Sequence, residues 1–420
     1  MGPMERVWGS LAPFTRARCL QNERALFDHL LKDTVGTPPL PARTSRNVSS
    51  SALKSSARPR THLLDPERVD ADPSAPRSVS SQGLQWHAHD TRVSDSDPDD
   101  VVHSVVVEPA PAASGDEENG AKNPRVDLVL VHGFGNGGGC FFRNVASFGA
   151  MGRTHLVDWR GAGMSGRPRS FPPRTYDECV EYLVDGLEAW RASRLDERTR
   201  MCLVGHSMGA MIATHYAKRY PSRVAHLVLT GPASVKDDSD PARLANFLQG
   251  SLVRRLAFNA VVLAWRAGIT PQAVARWLPV ATAMRIGGRY TRVRWRSGDT
   301  LDADGQEVLA RYVTGVVRMG PGCSEKVMSV FLKPIGRARR ALAAVLEDEL
   351  DATVPVTFVY GDRDWMSPKS GKECAERMRA GEPRSRLKNA EFHLLPNAGH
   401  FAFVDQAAPF EAIVRSKWLG

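Results

Sequence analysis

Three residues in this chain have the types and the order needed to take a proton from a hydroxyl and return it to a leaving group: Ser207, Asp364 and His400. Ser207 is the centre of Gly205-His206-Ser207-Met208-Gly209, a Gly-x-Ser-x-Gly pentapeptide. The apolar run before it and the helix-forming run Ala210 to Ala217 after it predict a strand, a very tight turn and a helix, with the serine hydroxyl presented at the tip. Such a turn strains its central residue, and side chains two positions to either side would collide, which accounts for the glycines. The hydroxyl needs a base. Of twelve histidines, His400 is the best placed, in a Pro396-Asn397-Ala398-Gly399-His400 turn directly after the last expected strand. His206 and His132 read as packing and structural residues. The base needs a carboxylate to fix its tautomer and stabilise the imidazolium. Tyr360-Gly361-Asp362-Arg363-Asp364-Trp365 offers two, and Asp364 is preferred because it lies further past the strand end. Asp158 also ends a strand, but it precedes the serine and reads as the brace of its own turn. Negative charge on the carbonyl oxygen would be met by backbone N–H groups of Met208 and of Phe134, in the loop His132-Gly133-Phe134-Gly135.

Positioning these pieces requires one sheet edge. The strands read from the pattern are Leu84 to His89, Val101 to Glu108, Val126 to Val131, Thr154 to Trp159, Met201 to Val204, Ala225 to Thr230, Val354 to Tyr360 and Glu391 to Leu395. Val126 to Val131, apolar apart from Asp127, reads as a parallel strand buried on both faces. Helical stretches around Phe141 to Gly149, Tyr176 to Arg194 and Phe410 to Trp418 alternate with them, so the fold class is α/β: a mostly parallel sheet flanked by helices. Residues 83–233 and 347–420 form the core in two parts. Between them, 234–346 has helical stretches and no clear strand, and is expected to be a cap over the site. Residues 1–82 are expected to be a Ser/Arg/Pro-rich disordered tail, with a short helix at Leu20 to Leu31; the acid-poor segment leaves an organelle-targeting role open beside a plain tail.

The formal charge is +10, and the distribution matters more than the total. Between Ser251 and Arg296 there are nine arginines and no acid, interleaved with Trp265, Trp277 and Trp295. No nucleic-acid motif accompanies this patch, so nucleic acid is not the expected partner. A basic face beside an apolar, Trp-bearing one fits an anionic membrane surface, and Arg254, Arg255, Trp265, Arg266 and Trp277 are the residues expected to meet it; a solvated basic face is the plainer alternative. No run is long enough to span a bilayer as a helix. The six cysteines form no CxxC pair, so no structural metal is expected, nor any cofactor.

Gly133-Phe134-Gly135-Asn136-Gly137-Gly138 also fits Gly-x-Gly-x-x-Gly after a strand, which would mean a dinucleotide fold. That reading leaves Ser207, Asp364 and His400 as coincidences. With the glycine loop, Asp158-Trp159-Arg160-Gly161-Ala162-Gly163-Met164-Ser165, the Ser207 elbow, Tyr360 to Met366 and His400, the chain from about Leu84 resembles α/β-hydrolase-fold lipid enzymes, in particular the α/β-hydrolase-domain 4/5 subfamily of lysophospholipid lipases, acyltransferases and cardiolipin deacylases. The resemblance implies a serine hydrolase acting on acyl esters of phospholipids or lysophospholipids, intracellular and peripheral to a membrane such as a mitochondrial, lipid-droplet or endoplasmic-reticulum surface. It also supplies a counterpart of the subfamily's His-x4-Asp acyltransferase motif at His400 and Asp405, where Asp405 reads as structural. The alternatives are a lysophospholipid acyltransferase, a small-molecule esterase, and a non-catalytic lipase-coactivator-like adaptor; the adaptor branch lacks the elbow serine that this chain has.

Overall fold

A computed structural model of the protein describes residues 15–32, 83–110, 125–168, 175–236, 252–266, 269–295, 301–320, 323–333, 337–381 and 389–420. One eight-stranded sheet organises them: β1 Leu84–Arg92, β2 Val101–Pro109, β3 Val126–Val131, β4 Thr154–Asp158, β5 Arg200–His206, β6 Val224–Thr230, β7 Val356–Gly361 and β8 Ala390–Leu395. The spatial order is β1-β2-β4-β3-β5-β6-β7-β8. β1 and β2 form an antiparallel pair and β2 runs antiparallel to β4, while every pair from β4 to β8 is parallel. The central strand β3 buries Leu128, Val129, Leu130 and Val131 completely, since helices cover both faces.

The principal helices are α1 Arg16–Leu30, α2 Val145–Met151, α3 Tyr176–Arg194, α4 Met208–Arg219, α5 Leu252–Arg266, α6 Pro271–Trp277, α7 Val280–Arg294, α8 Ala303–Arg318, α9 Cys323–Phe331, α10 Pro368–Ala380 and α11 Ala407–Trp418. α3 starts where the sequence says it should: Thr175 accepts the N–H of Glu178, and the Glu178 side chain returns to the Thr175 N–H as a capping box. Among the described residues, the helices α5 to α9 and a short helical turn at 342–349 are inserted between β6 and β7. No helix among the described residues is long and apolar enough to cross a membrane.

The parallel register gathers the carboxyl ends of the strands. Val131 pairs with Gly205, His206 with Thr230, Thr230 with Val359, and Gly361 with Leu395. Each turn that follows one of these strands therefore opens on one edge of the sheet. In an open parallel sheet this is the edge where ligands bind.

Most of the stretch read as a tail, 1–82, lies outside the described residues, as do residues 111–124. The described piece, 15–32, is an integral helix. Cys19, Glu23, Leu26 and Phe27 of α1 fall at i, i+4, i+7 and i+8, and all four are buried, with α1 lying along α8. Burying Leu26 and Phe27 stabilises this contact by about 1.5–3 kcal/mol each. Glu23 interrupts the apolar stripe and so masks it in the sequence. Its partner, His103 on β2, lies 2.7 Å away and meets Asp90 of β1 at 2.7 Å through its other nitrogen.

Candidate active site

Ser207 stands between β5 and α4 with φ 54° and ψ −114°, a left-handed backbone for a residue with a side chain. Ties to the sheet hold it there. Its N–H donates to Thr230 O at 3.0 Å, and its carbonyl accepts the N–H groups of Ala210 and Ala233 at 3.1 and 3.2 Å. Glycine flanks it because the turn is crowded: a Cβ on Gly209 would sit 2.4 Å from Val131 O, and one on Gly205 would sit 2.5 Å from Ala210 Cα.

His400 and Asp364 arrive from the turns after β8 and β7. His400 Nδ1 and Asp364 Oδ1 are 2.8 Å apart, and both side chains are buried. The same Asp364 oxygen accepts the Met366 N–H at 2.9 Å, which fixes the carboxylate. Asp362 is directed elsewhere, accepting the Ala398 N–H at 3.1 Å. Asp405 accepts the Gly399 N–H at 2.7 Å and so steadies the loop that carries His400. His206 contributes from the elbow: its Nε2–H donates to His400 O at 3.0 Å, and its ring lies 4.7 Å from the His400 ring. Burial and the neighbouring His400 push the His206 pKa well below the ordinary histidine range, so it is a neutral spacer at pH 7.

The loop after β3 is braced from two sides. Asp158, buried at the end of β4, accepts the Gly138 N–H at 2.6 Å and also the Met164 N–H in its own turn. The Tyr312 hydroxyl on α8 accepts the Gly139 N–H at 3.0 Å. His132 donates its Nδ1–H to Gly133 O at 2.8 Å, and burial lowers its pKa. Gly138–Phe141 forms a short 3-10 turn packed on Asp158 and Tyr312, with no long helix to point its N-terminus at a pyrophosphate, which removes the support for a dinucleotide site here. Phe134 sits within this braced loop, between Gly133 and Gly135. Met208 is the first residue of α4, so its N–H has no acceptor within the helix.

Ser207, Met208, Phe134 and His400 all line one cavity of about 540 Å³. Its walls come from the inserted helices, with Ile286 and Tyr290 on α7, Val313 and Val317 on α8 and Met328 on α9. Trp365 stands at the rim with its ring 4.9 Å from that of His400, and it is 59% exposed. This combination of an apolar chamber with a few convergent polar groups can hold an acyl chain with its ester at the serine.

Of the five residues expected to meet a membrane, the two whose side chains are described, Arg255 and Trp277, do not line this cavity. Arg255 is exposed on α5 and Trp277 is 73% exposed at the end of α6. Arg254, Trp265 and Arg266 belong to α5, but their side chains lie outside the described residues. Leu252, Leu256 and Leu263 of α5 are also exposed. Four residues around the site were not singled out from sequence: Tyr312, Trp365, Tyr290 and Gly231. Gly231 has φ +49°, and a Cβ there would lie 2.7 Å from Asp364 Oδ2 and 3.0 Å from His400 Nδ1. Its position directly after a core strand was the available signal; Tyr312 had none, because its partner Gly139 is 173 residues away.

The model of the alpha/beta hydrolase family matches residues 128–414. A probable 1-acylglycerol-3-phosphate O-acyltransferase of Oryza sativa subsp. japonica is 29% identical over 305 residues, covering 68% of this chain and 66% of that protein, so the match spans just under two thirds of the relative. A (lyso)-N-acylphosphatidylethanolamine lipase of Bos taurus is 30% identical over 295 residues, covering 69% of this chain and 78% of its own length. Among solved structures, the thioesterase domain from the curacin biosynthetic pathway superposes with a TM-score of 0.50 at 16% identity, over 79% of this chain and 99% of that one, a likeness of fold. The chain belongs to the alpha/beta hydrolase family, in the α/β-hydrolase-domain 4/5 subfamily, and its relatives are enzymes of lipid metabolism.

Proposed function

We propose that this protein is a serine hydrolase that cleaves acyl esters of phospholipids or lysophospholipids at a membrane surface. The observation that carries the proposal is the meeting of Ser207 and His400 in one apolar cavity, with His400 bonded to the buried Asp364 at 2.8 Å. In this reading His400 takes the Ser207 proton as the hydroxyl attacks the ester carbonyl. Asp364 holds the Nδ1–H tautomer, leaving Nε2 for the serine, and stabilises the imidazolium. The N–H groups of Met208 and Phe134 meet the oxyanion. Collapse of the tetrahedral species breaks the ester C–O bond, His400 returns the proton to the leaving alcohol, and an acyl-serine remains. Water, deprotonated by His400, then releases the fatty acid.

Acyl transfer is the second reading, favoured by the name of the rice relative. It differs only in the final acceptor, a lysophospholipid hydroxyl in place of water. The exposed apolar and basic face of α5 and α6, with Leu252, Leu256, Leu263, Arg255 and Trp277, supports attachment to an anionic bilayer. The test is labelling with a fluorophosphonate probe, followed by incubation of the purified protein with mixed phospholipids and mass spectrometry of the products. The wild type should be labelled and Ser207→Ala should not. Free fatty acid marks hydrolysis, new diacyl product marks transfer, and an unlabelled but folded wild type would sink both readings in favour of a lipase adaptor.

A further inference from the structure

A second cavity, of about 610 Å³, adjoins the first across Ile286, Tyr290 and Arg294, which line both. Its character is different. Arg289 and Arg294 reach it from α7 and Arg363 from the turn after β7, and all three are exposed. Among the described residues no carboxylate forms an ion pair with any of the three. Arg363 is oriented by Asn397, whose Oδ1 accepts its guanidinium N–H at 2.7 Å, and the Arg294 guanidinium lies 5.4 Å from the Phe401 ring centre. The one acid in the lining, Asp405, is engaged by the Gly399 N–H, so three formal positive charges face one negative one.

Gly399, which lines this cavity, immediately precedes His400, which lines the other. A molecule with its ester at Ser207 and its chain in the apolar cavity would therefore extend its polar end past Tyr290 and Arg294 into the arginine cavity. Guanidinium groups are suited to phosphate oxygens by their planar fork of donors and permanent charge.

We propose that Arg289, Arg294 and Arg363 form a subsite for the phosphate oxyanion of a phospholipid headgroup, placed beside the acyl cavity. The proposal rests on the preceding reading only for where the ester lies. The subsite would make the enzyme select acyl esters that carry a phosphate a few bonds from the ester over neutral glycerides of the same chain length. It also assigns a role to Arg289 and Arg294 of the basic stretch distinct from that of the exposed face on α5 and α6.

The test uses the full-length Ser207→Ala protein, so that binding is read without turnover. Decyl phosphate, decyl maltoside and inorganic phosphate are titrated calorimetrically below their micellar concentrations. Decyl phosphate should bind about tenfold or more tighter than decyl maltoside, and the Arg289→Gln/Arg363→Gln exchange should reduce that ratio by about tenfold. Both arginines are exposed, and circular dichroism checks that the exchange leaves the fold intact. Equal affinity for the two decyl compounds, or an unchanged ratio in the double variant, overturns the subsite. Inorganic phosphate binding as tightly as decyl phosphate overturns the headgroup assignment and marks a free-phosphate site. Failure of fluorophosphonate labelling in the wild type would strike the hydrolase reading alone, because this titration does not depend on an active serine.

Discussion

The Tyr312 hydroxyl, on a helix inserted between β6 and β7, accepts the N–H of Gly139, in the glycine loop that follows β3. The inserted helices are thereby tied to the loop that offers Phe134 to the proposed oxyanion. Asp158 holds the neighbouring Gly138 N–H, so two consecutive N–H groups of the loop are fixed, one by a sheet strand and one by an inserted helix.

Removing one grip should be felt in chemistry before binding. Tyr312→Phe leaves a buried N–H without its acceptor, at a cost of about 1–2 kcal/mol. We expect a fall in kcat of about tenfold on a soluble ester with little change in KM. Steady-state kinetics beside a thermal melt would check this; a rise in KM at constant kcat would assign Tyr312 to substrate binding instead.

Gly231 packs directly against the His400–Asp364 pair. Gly231→Ala adds a side chain at φ +49°, costing about 1–2 kcal/mol, and drives its Cβ against both members of the pair. Displacement of His400, the proposed base, by a fraction of an ångström should lower kcat by more than about tenfold. If the variant keeps wild-type kcat, the tight packing at Gly231 is not what positions His400.

The buried contact between α1 and β2 should make stability depend on pH in the alkaline range. Burial by itself would depress His103, but the facing Glu23 and Asp90 carboxylates outweigh it and hold the imidazole at about 10. Arg16 completes the group, 2.6 Å from Asp90. In the unfolded chain a histidine titrates near pH 6.5. A folded value above the unfolded one gives stabilisation that is complete below about pH 6.5 and is lost as pH rises through about 10. Urea unfolding followed from pH 7 to pH 10 should show that decline. Glu23→Gln should flatten it and cost about 3 kcal/mol at pH 7. Wild-type stability that stays level across the interval would mean His103 is neutral.

Vesicle binding tests the exposed face of the inserted helices. Co-sedimentation should rise with the anionic lipid fraction and fall with salt. Trp277→Ser, at a side chain 73% exposed, should weaken partitioning by about tenfold with no change in the melt. Binding that ignores lipid charge would remove the membrane role of this face.

Local pattern sufficed for whatever depends on neighbours in the chain. The tight turn at Ser207 is legible because a strained residue demands small flanking residues and a strand and helix around it. β3 is legible because a strand covered on both faces calls for an apolar run, here Leu128 to Val131. Asp364 beside His400 was favoured over Asp362 by its distance past a strand end, and parallel register then brought those ends to one edge. Other relationships have no local signature. Glu23 looks like a break in an apolar face until His103, 80 residues away, lies against it. Tyr312 looks like an ordinary core aromatic until its hydroxyl meets Gly139, and Arg289, Arg294 and Arg363 become one cavity only when α7 packs over the turn after β7. A hydrogen bond or a charge cluster between distant segments is set by packing, and packing is decided by the whole chain at once. The sequence by itself determined the strand–turn–helix pieces and their order; the tertiary structure alone decided which buried polar groups meet and which charges share a cavity.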